Sequence, residues 1–201
     1  MSNKLTIAIP TYNRNNELNR LIDSLSNQID DSVNIIIYDN HSTKPVEDTI
    51  IDDSFKNNSK TKIVRNANNI GGNANILKCF ENCESDWIWV IGDDDLLDDK
   101  AVFTVLEAIK LYSNALLLSF SSSQHIHNET KISKNLEEFI SNIKYWGHIN
   151  FSSVNLFNWR VLKKHIKSGY QFGYTYSPHI ALVFKELDER DEYKKKKDIL
   201  E

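Results

Sequence analysis

The sequence predicts an α/β fold, a mostly parallel sheet flanked by helices on both faces, and two patterns carry that expectation. From residue 5 to about residue 120, short runs rich in β-branched residues alternate with segments whose apolar residues recur at helical spacing. The runs LTIAIP, VNIIIY and WIWVI are apolar throughout rather than alternating with polar residues, as strands buried on both faces are. A chain of 201 residues, 40% hydrophobic and 26% charged, has the size and composition of a single domain with its own core.

Taken in order, residues 5–10 read as the first strand and residues 33–38 as the second. Between them Leu18, Leu21, Ile22 and Leu25 mark one face of a helix, with Asn15 or Asn16 available as its N-cap. Residues 61–65 form a weaker strand. Residues 72–83 form a helix with Ile76, Leu77 and Phe80 inward, and residues 87–91 a buried strand with Trp87 and Trp89 packed on either side. A helix over 99–112 presents Val102, Val105, Leu106 and Ile109, with Asp98 as its cap and Asp99 in its first turn. A strand at 115–120 follows. Beyond it the pattern loosens into a less regular C-terminal subregion: a polar loop or exposed strand at 121–134, helices at 135–144 and 158–168, and a solvated helical tail at 185–201.

Charge and composition remove several function classes. Lys+Arg 24 against Asp+Glu 28 leaves −4 with no clustered basic face, so no nucleic acid partner is expected. Cys79 and Cys83 are too few and too close in sequence for a disulfide framework or a zinc site, which fits a reducing cytoplasm. His125 and His127 lack a third ligand nearby, so zinc is not expected there either. No apolar run approaches the roughly 18 residues of a membrane span and the N-terminus has no secretory leader pattern. The lysine run near the C-terminus leaves peripheral membrane association open, and a homo-oligomer is equally open.

In an open α/β sheet ligands bind at the carboxyl ends of the strands. Those ends read PTYNR at residues 10–14, DNHS at 39–42, NANNIGGNAN at 66–75 and GDDD at 92–95, so polar and acidic residues from distant segments converge on one edge. Asp93, Asp94 and Asp95 repel one another, resist burial and lie too far upstream of the next helix to be its cap. A hard divalent cation, Mn²⁺ or Mg²⁺, bridging carboxylates to a ligand's phosphates would compensate them. There is no G-x-x-x-x-G-K-[ST] and no G-x-G-x-x-G, so neither a P-loop nor a dinucleotide fingerprint holds a phosphate here. Gly71 and Gly72 at a helix start could offer N–H groups to a diphosphate, or could simply make a turn.

The ordered set IPTYNR, IIIYDNHST, NNIGGNAN and WIWVIGDDD resembles the family 2 glycosyltransferases of the GT-A fold, over residues 4–102. The resemblance implies a Rossmann-like donor half at 1–112 and an acceptor half at 113–201, the latter shorter than members usually have. It implies that Pro10, Thr11, Tyr12 and Arg14 line a nucleotide pocket and that Asp39 accepts a hydrogen bond from the base. Asn69 and Asn75 fall in the donor segment, Asp93 on the nucleotide and Asp94 and Asp95 on the metal. Gly92 stands where many members carry an acid, so which two carboxylates ligate the ion stays open.

The expected reaction is metal-assisted inverting transfer from a nucleotide-sugar donor, UDP-linked, to a glycan or lipid-linked glycan acceptor in bacterial surface polysaccharide assembly, in the cytoplasm or at the inner face of the membrane. At the place where members carry a basic acid this chain has Ser177-Pro178-His179-Ile180, making His179 the candidate general base, with Glu186 and Asp188 behind it. The aromatic second half, from Tyr145 and Trp146 to Tyr174 and Tyr176, is expected to pack as core with a minority stacking on the acceptor. Two rival readings remain: a catalytically silent nucleotide-sugar binding domain or truncated paralogue acting through partners, and a nucleotidyltransferase. The latter lacks a Gly-rich, basic first loop.

Overall fold

The structure, a computed structural model, describes residues 4–122 and 129–200, with side chains as far as residue 194. In chain order the elements are β1 (Leu5–Thr11), α1 (Asn15–Leu25), β2 (Val33–Asp39), α2 (Asp53–Lys56), β3 (Thr61–Arg65), α3 (Gly72–Glu81), β4 (Trp87–Val90), α4 (Ala101–Leu111) and β5 (Leu117–Ser119). Then come α5 (Leu136–Asn142), α6 (Trp146–Asn150), β6 (Asn155–Asn158), α7 (Trp159–Leu162), α8 (Ile166–Gln171) and α9 (Pro178–Leu200). The pair His125 and His127 lies outside the described residues.

The sheet order is β3-β2-β1-β4-β6-β5. The first four strands are parallel, while β6 runs antiparallel to both β4 and β5, so the expected mostly parallel sheet is present with one reversed strand. Side chains alternate across it. Leu5, Ile7 and Ile9 of β1, Val33, Ile35 and Ile37 of β2 and both Trp87 and Trp89 of β4 enter one cluster with α1 and α4. Ala8, Tyr38, Ile88, Val90 and Phe157 enter the other, with Phe80 of α3, Leu162 of α7 and the buried part of α9. The expectation that Trp87 and Trp89 pack on opposite sides is therefore corrected: residues two apart on a strand share a face.

Several boundaries also differ. α1 starts at Asn15 without a side-chain cap, and the Asn15 amide donates instead to the Lys44 carbonyl at 3.2 Å. α4 starts at Ala101, so Asp98 and Asp99 neither cap it nor open it. Gln28 does the capping from a distant segment, accepting from the Val102 N–H at 3.1 Å while donating to the Asp98 carbonyl at 3.0 Å. The single helix expected at 158–168 is interrupted, because Asn158 closes β6 and a 3₁₀ turn at Lys163–His165 separates α7 from α8. Of the tail expected at 185–201, residues 185–200 are the far part of α9, whose first turns are buried through His179, Ile180, Leu182, Val183, Glu186 and Leu187. No helix among the described residues is long and apolar enough to cross a membrane.

Candidate active site

The strand order reverses between β1 and β4: the chain leaves β1 toward β2 and β3 and returns to place β4 on the other side. Such a switch point separates the loops that follow the two strands and is where open α/β sheets bind ligands. Here it is spanned by one hydrogen bond, Thr11 Oγ1 donating to Asp93 Oδ2 at 2.6 Å. Arg14, just past β1, reaches the same group. Its Nη1 lies 3.3 Å from Asp93 Oδ1 and 2.5 Å from Asp94 Oδ2.

Burial raises the Asp93 carboxyl above its ordinary range, opposed by the Thr11 hydroxyl and the Arg14 charge and reinforced by Asp94. Asp95 is raised by burial too, against a hydrogen bond from Ser153. The guanidinium of Arg14 is held more firmly protonated by its bond to Asp94 and the charge of Asp93. Among the described residues Arg14 is the one cation bonded to the triplet, which leaves two negative charges unbalanced.

The three carboxylates do not face the same way. Asp95 turns back on its own loop: Oδ2 accepts from the Gly92 N–H at 3.1 Å and from the Ser153 hydroxyl, which itself accepts from the Gly92 N–H at 2.9 Å. A Cβ on Gly92 would stand 2.8 Å from Asp95 Oδ2 and 3.2 Å from Asp94 Oδ1, so a side chain at position 92 would require these carboxylates to shift. Asp94 is half-exposed beside Arg14 and Asp93 is buried beneath it. All donors to a cation here would be carboxylate oxygens, which suits Mn²⁺ or Mg²⁺. Asp94, half-exposed and bonded only through Oδ2, could take that role; both oxygens of Asp93 already accept, Oδ2 from Thr11 and Oδ1 from Arg14, and Asp95 supports the loop.

At the end of β2, Asp39 is 1% exposed and both its oxygens are engaged within the chain. Oδ1 accepts from the Ser42 N–H at 2.7 Å, and Oδ2 from the Val46 N–H at 3.3 Å and from Arg65 Nη1. Burial alone would raise its carboxyl, but the Ser42, Val46 and Arg65 bonds outweigh it and hold the group below its usual range. Asp39 therefore fixes the 42–46 turn rather than offering a free oxygen to a base. Asn13 and His41, directly after Tyr12 and Asn40, both take left-handed backbone with φ of 56° and 67°. Asn13 stitches the two loops: its backbone N–H donates to Ser42 Oγ at 2.9 Å and its side-chain Oδ1 accepts from the Thr43 N–H at 2.7 Å.

The asparagine-rich connection is held by its own side chains. Asn40 donates to Asn69 Oδ1 at 2.9 Å and accepts from the Asn66 amide at 3.0 Å and the Ile70 N–H at 3.0 Å. Asn66 also donates to Asn75, and Asn75, 2% exposed, donates to the Tyr38 carbonyl at 3.0 Å. Asn75 is thus a bracket inside the loop, while Asn69 is exposed on it and caps the Gly71 N–H at 2.9 Å. Gly71, at φ +85°, takes the left-handed turn that a side chain would strain. Pro10 is half-buried and Tyr12 is 44% exposed, so the structure brings Pro10, Thr11, Tyr12, Arg14, Asp93 and Asp94 to one edge.

His179 is not brought there. It is 1% exposed in the second core cluster, edge-on to Phe157 at 5.8 Å between ring centres, with neither nitrogen in a well-formed hydrogen bond. Burial pushes its pKa down to about 4, against a slight opposing influence of the Asn150 backbone. A general base must reach the acceptor hydroxyl, and this ring does not reach solvent, which corrects the expectation that it is the base. Glu186 is also committed: Lys164 at 2.7 Å, His165 at 2.8 Å and Arg190 at 2.7 Å surround it. Lys164 and Arg190 already balance the two carboxylates of the His165, Glu186 and Glu189 group, where ligand atoms otherwise come close enough for a metal. Asp188 has a half-exposed side chain and lines a cavity of about 660 Å³ with Trp146, Phe172 and Phe184.

Two contributors escaped sequence reasoning. Arg65 ends β3, and the rule that strand ends carry the site could have singled it out. Ser153 has no local signal, because it meets Gly92 and Asp95 only through the pairing of β6 with β4.

Residues 6–189 match the profile of Glycosyl transferase family 2. The abequosyltransferase RfbV of Salmonella typhimurium is 36% identical over 97 residues, 46% of this chain and 28% of that protein. An uncharacterized glycosyltransferase of Haemophilus influenzae is 26% identical over 125 residues, 62% of this chain and 41% of that one. The matched regions thus span less than half the length of either relative. Among solved structures, residues 1–349 of S. aureus TarS in complex with UDP-GlcNAc align with TM-score 0.57 at 17% identity, covering 81% of this chain and 47% of that one. The mannosyltransferase PcManGT from Pyrobaculum calidifontis, in complex with GDP-Man and Mn²⁺, aligns with TM-score 0.59 at 13% identity, covering 82% and 47%. Both share the GT-A fold with this chain.

Proposed function

The chain belongs to glycosyl transferase family 2, and from that premise we propose that it transfers a sugar from a nucleoside diphosphate donor held across the ends of β1 and β4. The observation that carries the reading is the bonded group Thr11, Asp93, Arg14 and Asp94 at the switch point, in which two carboxylates share one cation and leave one negative charge unbalanced. A divalent ion on Asp94, with Asp93 beneath it, would neutralise charge developing on the leaving diphosphate. Asp95 keeps the Gly92 turn in shape for it. Tyr12 and the exposed Asn69 lie on the nucleotide side, and Asp39 and Asn75 set the loops that carry them. Uridine is the preferred base, in keeping with the UDP-GlcNAc complex of TarS, and the guanosine donor of PcManGT is the alternative. The acceptor in this reading is a glycan or lipid-linked glycan in surface polysaccharide assembly, and the likeness to an abequosyltransferase supports sugar transfer without naming that acceptor. Inversion by a single displacement needs a base that substrate can touch. Of the three candidates Asp188 has the accessible group, and it lies on the cavity wall of the second half.

A silent nucleotide-sugar binding domain is the second reading, favoured by the burial of His179 where members carry the base. Donor hydrolysis across a panel of UDP- and GDP-sugars, with Mn²⁺ and in EDTA, separates the two. Metal-dependent release of UDP supports the transferase, whereas tight binding without turnover of any donor supports the silent domain.

A further inference from the structure

Asn73, the second residue of α3, is one of the points where a single side chain ties the two halves of the chain. Its Nδ2 donates to the Gly173 carbonyl at 3.0 Å and to the Thr175 carbonyl, 100 and 102 residues away in sequence. Those carbonyls belong to the turn between α8 and α9. The turn is braced internally: the Thr175 hydroxyl donates to the Phe172 carbonyl at 2.8 Å and accepts from the Ser177 N–H at 3.2 Å. Phe172, Thr175 and Ser177 line the 660 Å³ cavity, and Tyr174 and Tyr176 flank Thr175 at 82% and 93% exposure. Besides these local bonds the turn holds a Phe172–Tyr174 ring contact at 6.4 Å, both rings being exposed, so the two bonds from Asn73 are what fix it to the other half of the chain.

One helical turn away, the same α3 terminus is fixed to the donor side, through Asn69 on the Gly71 N–H and through Asn75 on Asn66 and Tyr38. We propose that Asn73 is a positioning residue that sets the 172–177 turn, and with it the wall of the second-half cavity, relative to the donor segment of α3. The role of the wall in transfer rests on the donor reading above, but the tie itself does not. Alanine removes both donors. Aspartate removes them and sets a negative charge against two carbonyl oxygens.

The test is hydrogen exchange on the whole chain with ¹⁹F-tyrosine incorporated. In Asn73→Ala and Asn73→Asp the amides of residues 172–177 exchange at least about tenfold faster than in the wild type, while those of β1, β2 and β4 are unchanged. The ¹⁹F signals of Tyr174 and Tyr176 move toward the free-tyrosine position. UDP with Mn²⁺ then shifts these two signals in the wild type and not in Asn73→Ala, although both proteins bind the nucleotide with affinities within about twofold. Unchanged exchange at 172–177 in both variants overturns the proposal, as does a UDP-induced shift that persists in Asn73→Ala. A wild type that binds no UDP contradicts the donor reading instead, and the exchange rates still decide the tie.

Discussion

The Thr11 hydroxyl donates to Asp93 Oδ2 at 2.6 Å, joining the ends of β1 and β4 across the one place where the parallel sheet changes winding direction. Asp93 is 6% exposed, and this bond works against a burial that raises its carboxyl. Thr11→Val keeps the shape and removes the donor. It should cost about 1–3 kcal/mol in urea denaturation, because a buried carboxylate loses a partner. UDP affinity in Mn²⁺ should fall with it, and an unchanged midpoint and affinity would show the bond to be idle.

Arg65 and Asp39 make the corresponding prediction at β2. Arg65→Ala leaves Asp39 buried with only the Ser42 and Val46 N–H groups. The guanidinium is itself a third exposed, so the cost should be about 1–3 kcal/mol rather than that of a fully buried pair. Uridine binding should weaken as the 42–46 turn loosens. If stability drops while uridine binds as before, Asp39 holds the fold and not the pocket.

The pH dependence of stability on the acid side should be set by groups whose folded pKa lies below the unfolded one, the buried His179, lowered from 6.5 to about 4, and two acids. Glu186 is lowered to about 2 from 4.5: burial would raise it, and the bonds from Lys164, His165 and Arg190 outweigh that. Asp39 is lowered in the same sense. A depressed group contributes stability that is present above its unfolded pKa and lost as pH falls through the folded one. Thermal midpoints should therefore drop as pH is taken from 6.5 toward 2, and Glu186→Gln should flatten the lower part of that limb. An identical limb in the variant would assign the acid sensitivity elsewhere.

Removing the imidazole of His179 should be harmless. The ring is buried without well-formed hydrogen bonds, so an apolar residue of similar size escapes its desolvation cost. His179→Leu should fold with an equal or higher melting midpoint and bind UDP as the wild type does. Asp188→Asn should lower transfer at least about 10²-fold with donor affinity intact. Loss of turnover in a stable His179→Leu protein would restore the histidine as a catalytic candidate.

The donor half was legible because its signals are local. Ile7, Ile37 and Trp89 lie in runs long enough to show buried strands, and the strand-end rule then points to Thr11 and Asp93 without any contact being known. The second half was not. β6 has four residues, Asn155-Leu156-Phe157-Asn158, too few to stand out as a strand and ending where the sequence reads as the start of a helix; Asn155 and Asn158 are fully buried because their amides bond to carbonyls such as those of Ile149 and Ala115. Nothing in the sequence around Ser153 or Gln28 tells that one meets Asp95 or that the other caps α4. His179 misled for a related reason: its place along the chain fits the expected base, but the ring that packs edge-on against it, Phe157, comes from β6, far away in sequence.

The central claim is that the group at the β1–β4 switch point binds a nucleoside diphosphate through a divalent ion. Titration calorimetry of UDP into the whole chain, in Mn²⁺ and in EDTA, with Asp94→Asn alongside, tests it most directly. The account predicts that UDP binds at least about tenfold more tightly in Mn²⁺ than in EDTA, that Asp94→Asn abolishes this difference, and that uridine, which has no phosphate, binds both proteins alike. Equal UDP affinity in Mn²⁺ and in EDTA for the wild type would contradict it.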